Sequence, residues 1–157
     1  MDKRIEKIKG FRTFLLQQIE ELTTELLNKI PEGFNNNIIW NLGHLISAEQ
    51  NICYVKSGVP VIIEDKYFSP YLPGTKPTSF VDEKNIAIIK EYFISTIDQL
   101  NADVEHKLFS NYSPSVVIPK VYGFEVNNID DALEYLLYHE GFHAGSVMSL
   151  KRIVTRR

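Results

Sequence analysis

The sequence predicts an all-α fold, a four-helix bundle with two long connections at about 59–80 and 110–127. Apolar side chains recur at three- and four-residue steps in four separate segments, as they do along the buried face of an amphipathic helix. The two long connections are rich in proline and glycine, and no segment gives a convincing sheet. Four apolar helix faces that bury one another form a bundle.

The first two helices are predicted over about 4–29 and from Asn36 or Asn37 to Gly58. The first helix carries one apolar stripe over its whole length and is stopped by the Pro-Glu-Gly sequence at 31–33. Either asparagine can cap the second helix with its side chain. Glycine is the residue most often found just after a helix end, so Gly58 is a suitable terminator.

The segment 59–80 interrupts the helical pattern with four prolines. Proline removes a backbone donor and prevents a continuous helix, but Tyr67, Phe68 and Tyr71 make the segment too apolar for a free linker. A connection of this length inside a compact domain is more often functional than idle. We therefore expect it to fold over one end of the bundle.

The third and fourth helices are predicted to start at about Asp82 and after Asn128, which would cap the last helix. Asp130 and Asp131 then lie in the first turn, where the helix dipole favours acidic side chains. The connection 110–127 contains Pro114, Pro119 and Gly123. Its alternating apolar residues at 116–118 and 121–122 predict a short extended stretch.

Composition predicts a single domain over residues 1–157, with 44% hydrophobic and 24% charged residues. The net charge of −3 argues against a nucleic-acid or anionic-membrane partner, because such proteins are usually basic. The lone Cys53 excludes an internal disulfide and fits a reducing compartment. No leader-like or bilayer-spanning apolar run is present, so we expect a cytoplasmic protein.

Three of the four histidines fall in strongly apolar helices, where an imidazole needs partners for its nitrogens. His139 and His143 are four residues apart, so both leave the same helix face and can hold one ion. His44 lies on the inner stripe of another helix. This arrangement favours a metal site over separate hydrogen-bonded core histidines. His106 has polar neighbours and is expected to face solvent.

Residues 139–143 also spell the His-Glu-x-x-His pattern of zinc proteases, but the sequence argues against that function. Such a protease takes its third ligand from further along the chain. The fourteen residues after His143 contain no His, Glu or Asp. The third ligand is therefore expected upstream, where His44 is the best candidate. Three protein ligands leave one position open, which is typical of a catalytic metal.

Five other residues receive expected roles. Glu140 lies close to both histidines around the helix, so it can accept a proton from metal-bound water or orient a ligand. The alternative is an exposed or intersubunit glutamate. Gly43 costs ~1 kcal/mol in a helix interior, which suggests a close approach there, and Gly141 and Gly145 repeat the feature. Cys53 is predicted to be a buried, unreactive thiol.

Two histidine blocks resemble the DinB-like superfamily of metal-binding four-helix bundles. They are Gly-Phe-Asn-Asn-Asn-Ile-Ile-Trp-Asn-Leu-Gly-His at 33–44 and His-Glu-Gly-Phe-His-Ala-Gly-Ser at 139–146, the second preceded by Asp-Asp-Ala at 130–132. The resemblance covers most of the chain. It implies one divalent metal, zinc or nickel, held by His44, His139 and His143, with an open position facing a pocket. It also implies frequent dimerisation. Ser146 departs from the family pattern, in which many members carry Gln.

The resemblance also suggests a reaction, because characterised relatives include S-transferases and an isomerase that use bacillithiol or mycothiol. It implies a metal that holds and activates a low-molecular-weight thiol. The first hypothesis is therefore a metal-dependent thiol S-transferase or hydrolase acting on a small electrophile. The second is a non-catalytic binding or stress-response module with a structural or vestigial metal.

The connection 59–80 and Tyr122 are expected to line the mouth of the substrate pocket in the enzyme hypothesis. Recognition of a thiol cofactor has no obvious motif. Four lysines are scattered candidates for that role, namely Lys56, Lys66, Lys76 and Lys120.

Overall fold

The computed structural model describes residues 1–156, and within that range every regular element is helical. The α-helices are α1 (Lys3–Gln18), α2 (Thr24–Asn28), α3 (Ile38–Glu49), α4 (Glu83–Glu105), α5 (Ile118–Tyr122) and α6 (Ile129–Val154). The long helices α1 and α3 each pack against both α4 and α6. The all-α prediction is therefore confirmed, and short helical segments accompany the four long helices.

The predicted first helix over 4–29 is wrong in its length. Helix α1 ends at Gln18, and α2 is a separate helix of five residues. Thr23 accounts for the break, because its backbone is extended and its side chain accepts a hydrogen bond from the Leu26 amide at 3.3 Å. This is the N-cap of a new helix. The apolar stripe continues across the break, since Ile19 and Leu27 are both buried.

Helix α3 begins as predicted, with Asn37 as the cap. Its side chain accepts a hydrogen bond from the Trp40 amide at 2.8 Å. The helical run continues past α3 through a π-helix, Gln50–Tyr54, and a 3-10 turn, Val55–Ser57. It ends at Gly58, whose φ of 69° suits glycine. The wider π turn was not predicted, and such turns are frequent near functional sites.

The segment 59–80 lies against α3 through two 3-10 turns, Asp65–Tyr67 and Ser69–Tyr71. The Tyr71 ring rests on Gly43. A Cβ atom added to Gly43 would lie 2.6 Å from Cε1 and 2.7 Å from Cγ of that ring. The close approach suggested by this glycine is therefore confirmed. The same suggestion for Gly141 and Gly145 is wrong, because nothing lies within 4 Å of an added Cβ at either position.

Substitution Gly43→Ala is expected to destabilise the fold by about 1–3 kcal/mol, since the new methyl group overlaps the Tyr71 ring. Gly10→Ala in α1 is the matched control, because an added Cβ there meets nothing within 4 Å. The control is expected to be stabilising by ~0.5–1 kcal/mol through helix propensity. Urea denaturation measures both changes. Equal effects of the two substitutions would contradict the proposed Tyr71 contact.

The extended stretch predicted near 116–122 is wrong. The structure places α5 there, with Pro119 in its first turn and Gly123 left-handed at its end. The hydroxyl of Ser115 accepts a hydrogen bond from the Ile118 amide at 3.2 Å, which helps to start this helix. Helix α6 begins after Asn128, as predicted, and the Asn128 side chain accepts from the Asp131 amide.

Arg12 lies at the centre of the four long helices and is fully buried. Its guanidinium donates to Glu140 Oε1 at 2.6 and 2.9 Å and to Glu49 Oε2 at 2.9 Å. It also donates to the main-chain carbonyls of Leu45 and Phe93. One side chain of α1 thus joins α3, α4 and α6. None of the helices within residues 1–156 is both long and apolar enough to cross a bilayer.

Candidate metal centre

The structure brings together the three histidines predicted as ligands. His44 comes from α3, and His139 and His143 come from successive turns of α6. One ring nitrogen of each lies within 4.8 Å of the corresponding nitrogens of the other two. All three side chains are buried, with exposed fractions of 5%, 8% and 8%. Three imidazoles facing one point are a suitable ligand set for a divalent metal.

Two of the three rings have their tautomer fixed by the surroundings. Nδ1 of His44 lies 2.7 Å from the Tyr71 carbonyl oxygen, which can only accept a hydrogen bond. Nδ1 of His143 lies 2.8 Å from Oδ1 of Asn41, and the Asn41 amide nitrogen donates to the Asn37 carbonyl. Both Nδ1 atoms therefore carry the proton. Each Nε2 then presents a lone pair to the centre.

The His139 ring supports a cation at the same point. Its Nε2 lies 3.3 Å from Nε2 of His44. Two nitrogens that are each ~2.0–2.1 Å from a tetrahedral zinc ion are about 3.3 Å apart, so this spacing fits a shared ion. Nδ1 of His139 is buried without a hydrogen-bond partner among residues 1–156. The ring stacks on Tyr135, with a centroid distance of 5.4 Å.

Burial keeps the three imidazoles in the neutral form that binds metals. Loss of solvation, with smaller contributions from the neighbouring His143 and His44, lowers the pKa of His139 to about 2. The same burial lowers the pKa of His143 to about 4, with a smaller contribution from His44. The pKa of His44 is also lowered by burial, against the effect of its hydrogen bond to Tyr71. No proton has to leave these rings at neutral pH before an ion binds.

Three positioning groups were missed by the sequence analysis. Trp40 stacks on the His44 ring, with centroids 4.7 Å apart and planes inclined by 8°. The Tyr71 carbonyl and the Asn41 side chain fix two of the histidines. Trp40 and Asn41 lie about one turn before His44, so their positions in the motif were a usable signal. The Tyr71 contact depends on how 59–80 folds, which the sequence does not specify.

Substitution Asn41→Leu is expected to weaken metal binding by about 10–100-fold, because the His143 ring loses the acceptor that holds its tautomer and orientation. Asn41→Asp keeps an oxygen acceptor and is expected to retain tight binding. Competition with a chelator of known affinity measures the dissociation constants. If both variants bind metal as the wild type does, Asn41 has no positioning role.

A cavity of about 690 Å³ adjoins the histidine cluster. The connection 59–80 contributes Pro73 and Gly74, and α5 contributes Tyr122, as the sequence analysis expected. Of the four candidate lysines, Lys56 lines this cavity. The remaining walls are mostly apolar or aromatic and come from residues Trp40, Ala48, Asn51, Ile52, Val55, Ser113, Ser115, Val117, Ile118, Val121 and Tyr135. A buried ligand set beside a cavity of this size is the usual form of a small-molecule site.

Glu140 is neither exposed nor part of the three-histidine cluster. Its Oε1 accepts two hydrogen bonds from Arg12, while its buried Oε2 has no partner within residues 1–156. Burial raises the pKa of Glu140, and the ion pair with Arg12 opposes that shift. The Glu140 carboxylate is therefore bound to Arg12 in the core between the long helices. Its predicted role as a proton acceptor at the metal stays a prediction.

The structure also gives the environments of Cys53, His106 and Ser146. Cys53 is fully buried, and burial raises the pKa of its thiol well above the usual value, so the thiol is unreactive as predicted. His106 is exposed, also as predicted. The hydroxyl of Ser146 donates to the Phe142 carbonyl of its own helix.

The family assignment follows from the sequence model of the DinB superfamily, which matches residues 9–147. The chain belongs to the DinB superfamily. The matched range includes His44, His139 and His143, together with Arg12 and Asn41. No curated protein matches the chain at a significant level. Family membership and the buried histidine cluster together support a DinB-type protein that can hold a metal ion.

Proposed function

We propose that this DinB protein is a metal-dependent thiol S-transferase or hydrolase that acts on a small electrophilic substrate. The observation that carries the proposal is the cavity of about 690 Å³ beside three histidines whose ring nitrogens converge. A structural zinc site would have four protein ligands and no adjoining space. Here three ligands leave a coordination position for a low-molecular-weight thiol or water.

The metal ligands, the groups that position them and the cavity walls have separate roles in such a site. His44, His139 and His143 would hold zinc or nickel, and Asn41 and the Tyr71 carbonyl keep two of these rings in the binding orientation. When bound, the metal supplies Lewis acidity, which lowers the pKa of a coordinated thiol or water. The apolar cavity walls limit water around the reacting groups, which strengthens electrostatic interactions there.

A non-catalytic binding or stress-response module is the second candidate. It is favoured by the position of Glu140, whose carboxylate binds Arg12, and by the absence of Asp and Glu from the described residues that line the cavity. A hydrolase needs a base for water, so the missing carboxylate counts against hydrolysis. It counts less against thiol transfer, because a zinc-bound thiol loses its proton without a dedicated base.

The test is turnover by zinc- and nickel-loaded protein of a small chloro-substituted electrophile in the presence of a low-molecular-weight thiol. The proposal expects thioether formation that depends on both metal and thiol and is abolished in His143→Ala. Turnover without thiol would assign the hydrolase. No turnover with any thiol, together with an inert metal, would favour the binding module.

We also propose that the protein forms a homodimer through an aromatic face on α6 and the segment around α5. Tyr138 and Phe142 of α6 are each 73% exposed, and Tyr122 and Phe124 are also exposed. These four residues line one groove with Tyr135. An aromatic surface of this kind is typical of an interface. A second copy is the proposed occupant, in keeping with the dimers expected for the family.

Substitution Phe142→Asp is expected to convert the dimer to a monomer, because it places a charge on this face. Phe80→Asp is the matched control, since Phe80 is 61% exposed and lies just before α4, away from the face. Sedimentation velocity distinguishes the two states. A monomeric wild type at micromolar concentration would contradict the dimer.

The proposed partners are thus a small molecule and a second copy of the chain. The single buried Cys53 is consistent with the cytoplasm.

A further inference from the structure

The charges around the cavity have one sign. Among the described residues that line it, Lys56 is the one lysine or arginine, and none is Asp or Glu. Lys56 is half-buried, and no carboxylate within residues 1–156 forms an ion pair with it. A bound divalent metal would add positive charge at the histidine end. A cavity with cationic groups at both ends favours a negatively charged ligand.

Three polar lining residues accompany Lys56, namely Asn51, Ser113 and Ser115. Asn51 precedes Lys56 by five residues on the same helical run. Ser113 joins this end from the other connection, because its amide donates to the Lys56 carbonyl oxygen at 2.6 Å. Between His44 and Lys56 this run lines the cavity with Ala48, Asn51, Ile52 and Val55. The cavity therefore has a polar group at each end and a mostly apolar middle.

The length of the helical run sets the shape of a ligand that reaches both ends. His44 and Lys56 are twelve residues apart, which is about 18 Å along a helix at 1.5 Å per residue. Helical side chains lean towards the N-terminus, so the His44 ring and the Lys56 ammonium are displaced in the same direction and stay well separated. A ligand that occupies both ends is therefore elongated and apolar in the middle.

We propose that Lys56 is the specificity residue of this cavity and that it selects a thiol or substrate with a carboxylate at the end remote from the metal. The inference rests on the proposed function, since it assumes that the reacting group binds at the three histidines. A simpler role for Lys56 also exists, because a basic residue in the last turn of a helix interacts favourably with the helix dipole. If Lys56 sets specificity, Lys56→Gln changes the preference for carboxylate ligands. If Lys56 serves only the helix end, Lys56→Gln changes stability and leaves that preference unchanged.

The test compares two homologous series of probes on cobalt-loaded protein. Mercaptoalkanoates and mercaptoalkanols of equal chain length bind through the same sulfur and differ only in the remote carboxylate. The intensity of the thiolate-to-cobalt absorption band gives each dissociation constant without any assay of activity. The shortest pair measures the attraction of the metal itself, whereas longer pairs place the carboxylate closer to Lys56.

The proposal expects a preference of about tenfold for the longer mercaptoalkanoates over the matched alcohols in wild-type protein. Lys56→Gln removes this preference, Lys56→Arg keeps it, and Lys84→Gln, at an exposed site on α4, leaves it unchanged. Cobalt stoichiometry and circular dichroism confirm that each variant is folded.

Each other outcome identifies what has failed. Equal binding of acids and alcohols by wild type, or a preference that persists in Lys56→Gln, overturns the specificity role while leaving thiol binding in place. A loss of thermal stability in Lys56→Gln without a change in preference assigns Lys56 to the helix end alone. No absorption band with any thiol contradicts the proposed thiol transfer and, with it, the inference that depends on it.

Discussion

Replacement of Arg12 by methionine is expected to destabilise the fold by about 3–5 kcal/mol. The substitution removes Arg12, which within residues 1–156 is the only cation bonded to Glu49 and Glu140, and both carboxylates are buried. Methionine fills much of the arginine volume, so the loss reflects two unpaired buried charges and not a cavity. Urea denaturation at neutral pH measures the change in the free energy of unfolding.

The pH dependence of this variant has a defined sign. Burial raises the pKa of Glu49 and of Glu140, and Arg12 opposes both shifts, so its removal raises them further. A carboxyl with a higher pKa in the folded state than in the unfolded state binds more protons when folded. The free energy of unfolding therefore falls as the pH rises from the unfolded-state pKa of about 4.5 through the higher folded-state pKa. The deficit of Arg12→Met is therefore larger at pH 8 than at pH 5.

Two control variants separate charge from packing. Arg4→Met removes an arginine that is paired with Asp2 and Asp130 near the surface, and it is expected to cost at most ~1 kcal/mol. Adding Glu49→Gln and Glu140→Gln to Arg12→Met is expected to restore much of the lost stability. If Arg12→Met lost less than about 1 kcal/mol, the central ion cluster would not hold the helices together.

Alanine at His44, His139 or His143 is expected to weaken binding of zinc or nickel by more than ~100-fold, since two remaining ligands leave an ion largely hydrated. The metal-free form of each variant is expected to stay folded, because the cluster lies beside a cavity and not inside the packed core. Chelator competition gives the affinities, and circular dichroism reports the fold. His106→Ala is the control, as that side chain is exposed. An equal loss of affinity in the control would argue against a specific site.

Much of the helical architecture could be predicted because each boundary has a local chemical cause. Asn37, Asp82 and Asn128 all cap the helices that follow them. The break at Thr23 was missed because the apolar stripe runs through it without a change of phase. The extended stretch near 116–122 was predicted from a few alternating residues, whereas Pro119 and Gly123 favour the short helix found there.

The candidate site, like the helices, could be predicted only in part from the sequence. The three histidines could be predicted, because two are one turn apart and the third lies on an apolar helix. Their partners depend on tertiary structure, as the Tyr71 carbonyl reaches His44 only through the fold of 59–80. Arg12 was not singled out, because a single arginine on an amphipathic helix looks like a surface residue. Its partner Glu140 was instead considered for the metal site.

The most direct measurement is the metal content of tag-free protein purified without added metal, followed by X-ray absorption at the metal edge. We expect about one equivalent of zinc or nickel per chain, with three nitrogen ligands at ~2.0–2.1 Å for zinc. We also expect loss of the metal in the His139→Ala/His143→Ala double variant. A wild-type protein that binds neither zinc nor nickel after reconstitution, or one that holds metal equally well without these histidines, would rule out the three-histidine site.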